Sequence, residues 1–269
     1  MSKKLSTMPV NKKTGYAKLF SCAGKVCVVT GGLGFLGREV VKGLSDFGGI
    51  VYAADTIEAF KKSGARNKHF VPMDISLEES VRAGLSIVSK KEKKIDVLVN
   101  CAYPRTKDWG NLLEDVSFSS WNENVESHLG GYFLSCRAAA EIMEKNKSGG
   151  AIINFASIYG MSAPDFTIYK GTAMTMPAAY SAIKGGIINF SKYLAVYYAG
   201  FNIRVNTVSP GGVFNGQPEK FVDNYSQNTP LGRMACPGDI VGAVVYLASG
   251  ASGYVTGANL VVDGGWTIK

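Results

Sequence analysis

The stretch Val26-Cys-Val-Val-Thr-Gly-Gly-Leu-Gly-Phe-Leu-Gly37 decides the fold that we predict for this chain. Its first part, Val26–Thr30, is a short run of apolar and β-branched residues, which is typical of a strand buried on both faces. Its second part holds glycines at positions 31, 32, 34 and 37, and a helical pattern begins at Arg38. The stretch therefore predicts a strand, a tight glycine loop and the start of a helix.

A loop of this kind is suited to hold the pyrophosphate of a dinucleotide. Glycines let the backbone come close to the phosphates, and the first N–H groups of the following helix point towards them. The flanking strand and helix, and an acid 18 residues beyond Gly37, strengthen this interpretation. The loop residues that we predict to contact the cofactor are Gly31, Gly34, Phe35 and Leu36.

Apolar runs of the same kind recur along the chain, with segments of helical periodicity between them. They lie at Ile50–Ala54, Ile95–Val99, Ala151–Phe155 and Ile203–Val208, and a last strand is expected within Val255–Gly265. Strands that alternate with helices predict a parallel sheet covered on both faces. We therefore predict one α/β domain over residues 25–269, a doubly wound Rossmann fold, preceded by a flexible basic leader at residues 1–24.

The net charge of +8 is concentrated at the start of the chain. Residues 1–25 contain six lysines and no acid, which leaves 23 of the 29 basic residues against 21 acidic ones in the rest. A solvated leader explains this distribution, with a contact to phosphates or to an acidic partner as the alternative. We expect no nucleic-acid partner.

The start of the chain lacks the apolar core and cleavage site of a secretory signal, and no apolar run approaches the roughly 20 residues that span a bilayer. We therefore expect a cytoplasmic protein with no membrane partner. The five cysteines are scattered and the chain has only two histidines, His69 and His128. This pattern predicts neither a metal site nor a disulfide framework.

In a doubly wound sheet the ligand-binding residues follow the carboxyl ends of the strands. Asp55 closes a predicted strand, and its carboxylate can accept hydrogen bonds from both adenosine ribose hydroxyls while repelling a 2′-phosphate. We therefore expect NAD in preference to NADP, although Lys61 and Lys62 lie downstream. The further candidates for cofactor contact, which turn formation explains equally well, are Asp74 with Ile75 and the amide of Asn100 with Ala102.

A catalytic site is predicted from three residues, Ser157, Tyr180 and Lys184. Ser157 follows a predicted strand, and the spacing of Tyr180 and Lys184 places both on one face of a helix. A tyrosine must have its pKa lowered from about 10 to about 7 to act at neutral pH, and a lysine cation about 4 Å away supplies an interaction of that size. We predict that Tyr180 moves a proton, that Ser157 holds the substrate oxygen and that a nicotinamide exchanges hydride.

From about residue 24 to residue 266 these segments together resemble the short-chain dehydrogenase/reductases. The resemblance also rests on Asn100-Cys-Ala, Pro210-Gly-Gly-Val213 and Asp263-Gly-Gly265. It implies a contact between the Val213 backbone and the nicotinamide, and a homodimer or homotetramer built largely through helices. The further residues to which it gives a cofactor contact are Tyr180, Lys184, Pro210, Gly211, Val213 and Asn215.

The chain departs from the family pattern in its first loop and in the predicted helix Trp121–Met143. The glycine spacing T-G-x-x-G-x-x-G resembles the longer epimerase/dehydratase branch. In the helix, His128 stands where the proton-relay asparagine of the family falls, and Asn124 lies one turn earlier on the same face. Either side chain is a relay candidate, and we expect the titration of His128 to shape the pH profile near its ordinary pKa of about 6.5. A histidine packed for structural reasons is the alternative.

The segment Ile158–Ala179 is a third departure, because it places Tyr180 23 residues after Ser157, farther than the family pattern. Tyr169 is nearer the usual place, but position 173 is alanine and supplies no lysine partner. We expect a loop that covers the substrate and that can be shortened with little effect on stability, with an oligomer contact as the alternative. Its mixture of polar, aromatic and methionine side chains suits a hydroxyl-bearing sugar.

We therefore expect an NAD(H)-dependent oxidoreductase that interconverts a secondary alcohol and a ketone on a polar, carbohydrate-type small molecule. The glycine spacing, His128, the long loop and Ser209–Pro218 also resemble the reductases of flagellin-modification and nonulosonic (sialic-like) acid pathways. One alternative is a nucleotide-sugar epimerase or dehydratase, which recycles its cofactor. Another is a non-enzymatic NAD sensor, which has no need of the Ser157/Tyr180/Lys184 set.

Overall fold

The computed structural model describes residues 15–64, 69–147 and 149–269. The strands in these ranges are β1 (Val26–Thr30), β2 (Ile50–Asp55), β3 (Phe70–Pro72), β4 (Val97–Asn100), β5 (Gly150–Phe155), β6 (Ile203–Pro210) and β7 (Asn259–Val262). They form one parallel sheet in the order β3-β2-β1-β4-β5-β6-β7. The strand order reverses between β1 and β4, where a doubly wound sheet opens its ligand crevice.

Helices connect the strands and cover both faces of the sheet. The α-helices are α1 (Gly37–Asp46), α2 (Ile57–Ser63), α3 (Glu78–Glu92), α4 (Phe118–Asn124), α5 (Gly131–Lys145), α6 (Ala178–Tyr197), α7 (Glu219–Gln227) and α8 (Pro237–Ala248). A π-helical segment, Val125–Gly130, joins α4 to α5. Short 3₁₀ turns lie at Tyr16–Phe20, Leu113–Asp115, Ile158–Gly160, Phe166–Tyr169, Ala199–Phe201, Gly250–Ser252 and Trp266–Ile268.

The sheet is buried because apolar helix faces pack on each side of it. On one side α3, α5 and α6 contribute Leu85, Tyr132 and Ile183 to the core. On the other side α1 and α8 contribute Leu44 and Val244. The predicted α/β architecture, a single doubly wound Rossmann domain with a parallel sheet, is confirmed.

The turn from β1 into α1 needs glycine at two positions for different reasons. Gly31 has a φ of +64°, in the left-handed region that favours glycine. Gly37 lies against the carbonyl oxygen of Gly31, and a Cβ there would overlap it. The loop therefore closes tightly enough to bring the first turn of α1 to the end of β1.

Several predicted boundaries differ from the structure. The helix predicted over Trp121–Met143 is found as α4, the π segment and α5, and the last strand is confined to Asn259–Val262. Of the predicted leader, residues 1–14 lie outside the described residues, while Cys22 is fully buried and its N–H donates to the carbonyl of Phe47 at 2.8 Å. The packed core thus includes a residue that the sequence analysis places in the leader. Among the described residues, no helix is long and apolar enough to cross a membrane.

Candidate active site

A cleft of about 920 Å³ opens at the carboxyl ends of the central strands. Parallel strands all end at the same edge of the sheet, so residues far apart in the chain meet there. The predicted site residues that line the cleft are Gly31, Gly34, Phe35, Leu36, Asp55, Asp74, Ile75, Ala102, Ser157, Tyr180, Lys184, Pro210, Gly211, Val213 and Asn215. The predicted residues Asn100, Asn124 and His128 do not line it.

One end of the cleft has the features that a dinucleotide requires. Helix α1 begins without a side-chain cap at Gly37, which lines the cleft, so the positive end of the helix dipole is available to an anion. Asp55 ends β2, and one carboxylate oxygen accepts the N–H of Leu33 at 3.0 Å while the other accepts that of Thr56 at 2.9 Å. The residues present therefore fit a pyrophosphate beside the glycine loop and a ribose beside Asp55.

Asp74 and Asn100 differ in what their side chains face. Asp74 lines the cleft, with one carboxylate oxygen held by the N–H and hydroxyl of Ser76 at 2.9 and 2.7 Å. Asn100 is fully buried; it donates to the Asn154 side-chain oxygen at 2.9 Å and accepts from the Thr30 hydroxyl at 3.3 Å. The prediction of a cofactor-facing amide at Asn100 is therefore corrected, because its hydrogen bonds join β1, β4 and β5 inside the sheet.

Ser157, Tyr180 and Lys184 meet at the other end of the cleft. Ser157 follows β5, and its hydroxyl accepts the N–H of Tyr159 at 3.2 Å. Lys184, on α6, is buried, donates to the carbonyl of Phe155 at 2.8 Å and lies 5.6 Å from the centre of the Tyr180 ring. The carbonyl that ends β5 thus fixes the ammonium group behind the tyrosine.

The protonation of this pair differs from the sequence expectation. Burial raises the pKa of Tyr180 above its ordinary value, an effect that a hydrogen bond with Ser157 partly opposes. Burial lowers the pKa of Lys184 to about 7. The expected lowering of the tyrosine pKa by a full lysine charge is therefore corrected, because removal from water disfavours that charge as well. In this state Tyr180 is a neutral hydroxyl, which is the form that donates a proton.

His128 and Asn124 lie in different surroundings, although the sequence analysis places them on one helix face. His128 Nε2 is 3.3 Å from Lys184 Nζ, within the π segment. The amide of Asn124 instead bonds with Thr106 and Ser120. A spacing of four residues therefore does not give the two side chains a common partner, because the loop of Thr106 contacts Asn124 while helix α6 contacts His128. Of the two relay candidates, only His128 contacts Lys184.

The pH dependence expected from His128 is also corrected. Its ring is fully buried, and burial, together with the charge of Lys184, lowers the pKa of His128 well below its ordinary value. The imidazole is therefore neutral near pH 6.5 and does not titrate there. The neutral Nε2 can accept a hydrogen bond from Lys184 Nζ. In that arrangement the ring hydrogen is on Nδ1.

Two aromatic residues in the site are missing from the sequence analysis. The Tyr103 hydroxyl accepts the indole N–H of Trp109 at 2.8 Å, and the Tyr103 ring lies 5.9 Å from that of Tyr180. Tyr103 follows Ala102 directly, so the rule that ligand-binding residues follow strand ends could have found it. Trp109 lies farther along the loop, and no local pattern indicates it.

The long loop between Ser157 and Tyr180 both lines the cleft and belongs to the core. Tyr169, Met174 and Met176 are among its cleft-lining residues. Ile168 is fully buried in a cluster with Phe221 of α7. The expectation that most of this loop can be removed with little loss of stability is corrected, since replacing residues 161–176 would empty the place of Ile168.

Comparisons with known proteins agree with this geometry. A family model described as enoyl-(acyl carrier protein) reductase matches residues 36–267. Post-translational flagellin modification protein A of Campylobacter coli is 35% identical over 251 residues, 90% of this chain and 98% of that protein. D-threitol dehydrogenase of Mycolicibacterium smegmatis is 33% identical over 263 residues, 93% of this chain and 95% of that enzyme.

A solved structure shows the same likeness in three dimensions. The crystal structure of a short-chain dehydrogenase from Leptospira borgpetersenii with bound NAD⁺ matches with a TM-score of 0.81 and 35% identity. The match covers 94% of this chain and 96% of that one. With the cleft and the Ser157/Tyr180/Lys184 set in place, the chain belongs to the short-chain dehydrogenase/reductase family of nicotinamide-dependent oxidoreductases.

Proposed function

We propose that this protein interconverts a secondary alcohol and a ketone on a polyhydroxylated, carbohydrate-type substrate, with NAD(H) as its cofactor. The observation that carries the proposal is the meeting of Ser157, Tyr180 and Lys184 at one end of a cleft whose other end presents Asp55. The similarity to a D-threitol dehydrogenase, named for a polyol, supports the substrate class.

The residues of this chain have separate parts in the reaction. In the reducing direction the Tyr180 hydroxyl donates its proton to the carbonyl oxygen, and the Ser157 hydroxyl holds that oxygen. Lys184 is fixed by the Phe155 carbonyl, and in its protonated form it places positive charge beside the tyrosine as the tyrosine oxygen becomes negative. When bound, the nicotinamide supplies the hydride to the carbonyl carbon. In the oxidising direction the deprotonated Tyr180 oxygen takes up the proton of the substrate hydroxyl, and Ser157 holds the same oxygen.

Absorbance of NADH tests the reaction directly. Purified protein with NAD⁺ or NADH is mixed with a panel of polyols and keto-sugars, and the Ser157→Ala variant is the control. We expect a net change in NADH with at least one alcohol–ketone pair, strongly reduced in the variant. Conversion of a sugar without net change in NADH would instead support the epimerase or dehydratase alternative, and no reaction with any member would count against the proposal.

The cofactor preference follows from Asp55. Its carboxylate lines the cleft and would repel a 2′-phosphate, although Lys62 lines the same end. We expect kcat/KM for NAD⁺ to exceed that for NADP⁺ by about 100-fold, and Asp55→Asn to reduce this ratio by about tenfold, because about 1.4 kcal/mol of repulsion corresponds to each factor of ten. Asp74→Asn is the matched control at the next strand end. A clear preference of the wild type for NADP⁺ would refute the role of Asp55.

His128 is proposed to orient Lys184 as a neutral acceptor. We expect His128→Asn to lower kcat about tenfold, the effect of one weakened polar contact in a buried site. The variant should lose no inflection near pH 6.5, since burial holds the pKa of the ring well below that value. Loss of an inflection in the variant would show that the histidine titrates in the working enzyme.

A homo-oligomer built through helices is a further proposal. Tyr193, Val196 and Tyr197 of α6 are 61%, 81% and 60% exposed, which is much apolar surface on one helix. Sedimentation of the purified protein checks the assembly. The role of the basic leader and a cytoplasmic location stay predictions.

A further inference from the structure

The catalytic end of the cleft carries a cation on its wall. Arg105 lines the cleft together with Tyr103 and Trp109. Its guanidinium carbon lies 5.3 Å from the centre of the Tyr103 ring, which is the ring in edge contact with Tyr180. One aromatic ring therefore separates the guanidinium from the tyrosine that moves the proton.

Within the part of the chain that the structure describes, no acidic side chain forms an ion pair with Arg105. The carboxylate of Asp108, close to it in sequence, accepts a hydrogen bond from the Ser120 hydroxyl at 2.8 Å and does not line the cleft. The two acids that do line it, Asp55 and Asp74, belong to the opposite, dinucleotide end.

The loop that carries Arg105 is fixed from behind by α4. The Asn124 side-chain oxygen accepts the N–H of Thr106 at 3.1 Å, and its amide nitrogen donates to the Thr106 hydroxyl at 2.8 Å. Asn124 is only 2% exposed, so these hydrogen bonds are shielded from water. A cation on a loop already held in place loses less conformational freedom when it binds a ligand. Asn124 is thus a positioning residue for this loop.

The chemistry of the residues that line this end of the cleft indicates what Arg105 binds. A guanidinium presents a planar set of N–H donors that matches a carboxylate or a phosphate, and an unpaired one at a cleft attracts such an anion. The same end offers aromatic faces at Tyr103 and Trp109, which suit the carbon atoms of a hydroxylated chain. Building on the function proposed above, we propose that the substrate is a polyhydroxylated acid whose carboxylate or phosphate group is bound by Arg105.

Matched ligands test this proposal without any need for turnover. D-sorbitol, D-gluconate and D-sorbitol 6-phosphate share a hydroxylated chain and differ in carrying no charge, a carboxylate or a phosphate. We would measure their Kd by calorimetry with the NADH complex, which cannot oxidise an alcohol. At least one anion should bind about tenfold more tightly than sorbitol, the size expected of one charge-assisted hydrogen bond at a partly exposed site. The anion that binds more tightly than sorbitol identifies the charged group, carboxylate or phosphate, that Arg105 binds.

Two variants distinguish direct binding of the anion by Arg105 from a general electrostatic effect of positive charges on this loop. In Arg105→Met the anion preference should fall to about onefold, while the Kd of sorbitol and of NADH stays within about twofold of wild type. Lys107→Met is the matched control, because Lys107 is an exposed cation on the same loop that does not line the cleft. The Lys107→Met variant should keep the preference for the anion over sorbitol. Raising KCl from about 0.05 to 0.5 M should weaken binding of the anion and leave sorbitol unaffected.

The contrary outcomes are equally clear. The proposal is overturned if neither anion binds more tightly than sorbitol in the wild type, including the case in which none of the three binds. It is also overturned if Arg105→Met keeps the preference, if Lys107→Met loses it as well, or if Arg105→Met weakens NADH by as much as it weakens the anion, which would assign the guanidinium to a cofactor phosphate. The proposed reaction fails on a different result, the absence of any change in NADH, so the two can be told apart.

Discussion

Replacement of Tyr180 with phenylalanine is expected to lower kcat by about 10³-fold or more, near the upper end of what a general acid contributes. In the proposed reaction the lost hydroxyl is the group that donates to the substrate oxygen, and the ring that remains keeps its edge contact with Tyr103. The Kd of NADH, followed by its fluorescence, should therefore stay within about twofold of the wild-type value. Single-turnover kinetics would show that the chemical step is the one that is slowed.

Tyr169→Phe is the matched control, since Tyr169 also lines the cleft and stands closer to the family position. Its hydroxyl lies 3.3 Å from the sulfur of Met176, and no lysine accompanies it at position 173. We expect a change in kcat of less than about threefold, because a contact to a thioether is weak. If Tyr169→Phe were the more damaging of the two variants, the assignment of the acid/base to Tyr180 would be wrong.

Lys184→Met should produce the second large effect, a loss of about 10²- to 10³-fold in kcat/KM. The ammonium is the cation nearest the Tyr180 ring on the same helix, and its removal takes away positive charge where the tyrosine oxygen becomes negative. Methionine has a similar length and no charge, so it fills the space in the apolar surroundings of the side chain. Steady-state kinetics over a range of pH would measure the loss.

The same variant should alter how stability depends on pH. The pKa of Lys184 is lowered from 10.5 to about 7 by burial, so between these values the unfolded chain binds a proton that the folded chain does not. The wild-type free energy of unfolding therefore rises with pH in this interval, by about 1.4 kcal/mol per pH unit for this one group. Methionine cannot take up that proton, so Lys184→Met lacks this rise.

Urea unfolding at pH 7.5 and 9.5 compares the two proteins without cofactor. The free energy of unfolding of Lys184→Met, taken relative to that of the wild type, should decrease by about 2 to 3 kcal/mol between pH 7.5 and pH 9.5. Titration of groups distant from Lys184 affects both proteins alike and cancels in the difference. A difference that stays constant between the two pH values would show that Lys184 keeps its proton in the folded state.

Local sequence determined the parts of this protein whose geometry depends on neighbours in the chain. The run Val26–Thr30 followed by glycines forms a buried strand and a tight turn into α1, because Gly31 and Gly37 leave room where other residues would not. The spacing of Tyr180 and Lys184 places both on one side of α6 for the same kind of reason. Asp55 could be found because ligand-binding residues follow the carboxyl ends of parallel strands.

Tertiary structure decided which of the remaining polar groups face the cleft. Asn100 follows the same strand-end rule as Asp55, yet Thr30 and Asn154 on the neighbouring strands satisfy its amide inside the sheet. Burial decided the charge states, since the lowered pKa of Lys184 reflects its removal from water by residues distant in sequence. Neither effect is visible in a local pattern, because each depends on packing between separate elements.

The pair Asn124 and His128 shows most clearly what a local sequence pattern does not predict. Four residues apart, they share a face of an α-helix, and both were equal candidates on that basis. The two side chains nevertheless contact different elements: His128, in the π segment, meets Lys184, while Asn124, at the end of α4, holds the loop of Arg105. Sequence alone determined the fold, the dinucleotide end of the cleft and the Tyr180/Lys184 pair, because local geometry is enough for these. Only tertiary structure decided the surroundings of that pair, because contacts between distant residues depend on the rotation and packing of whole helices.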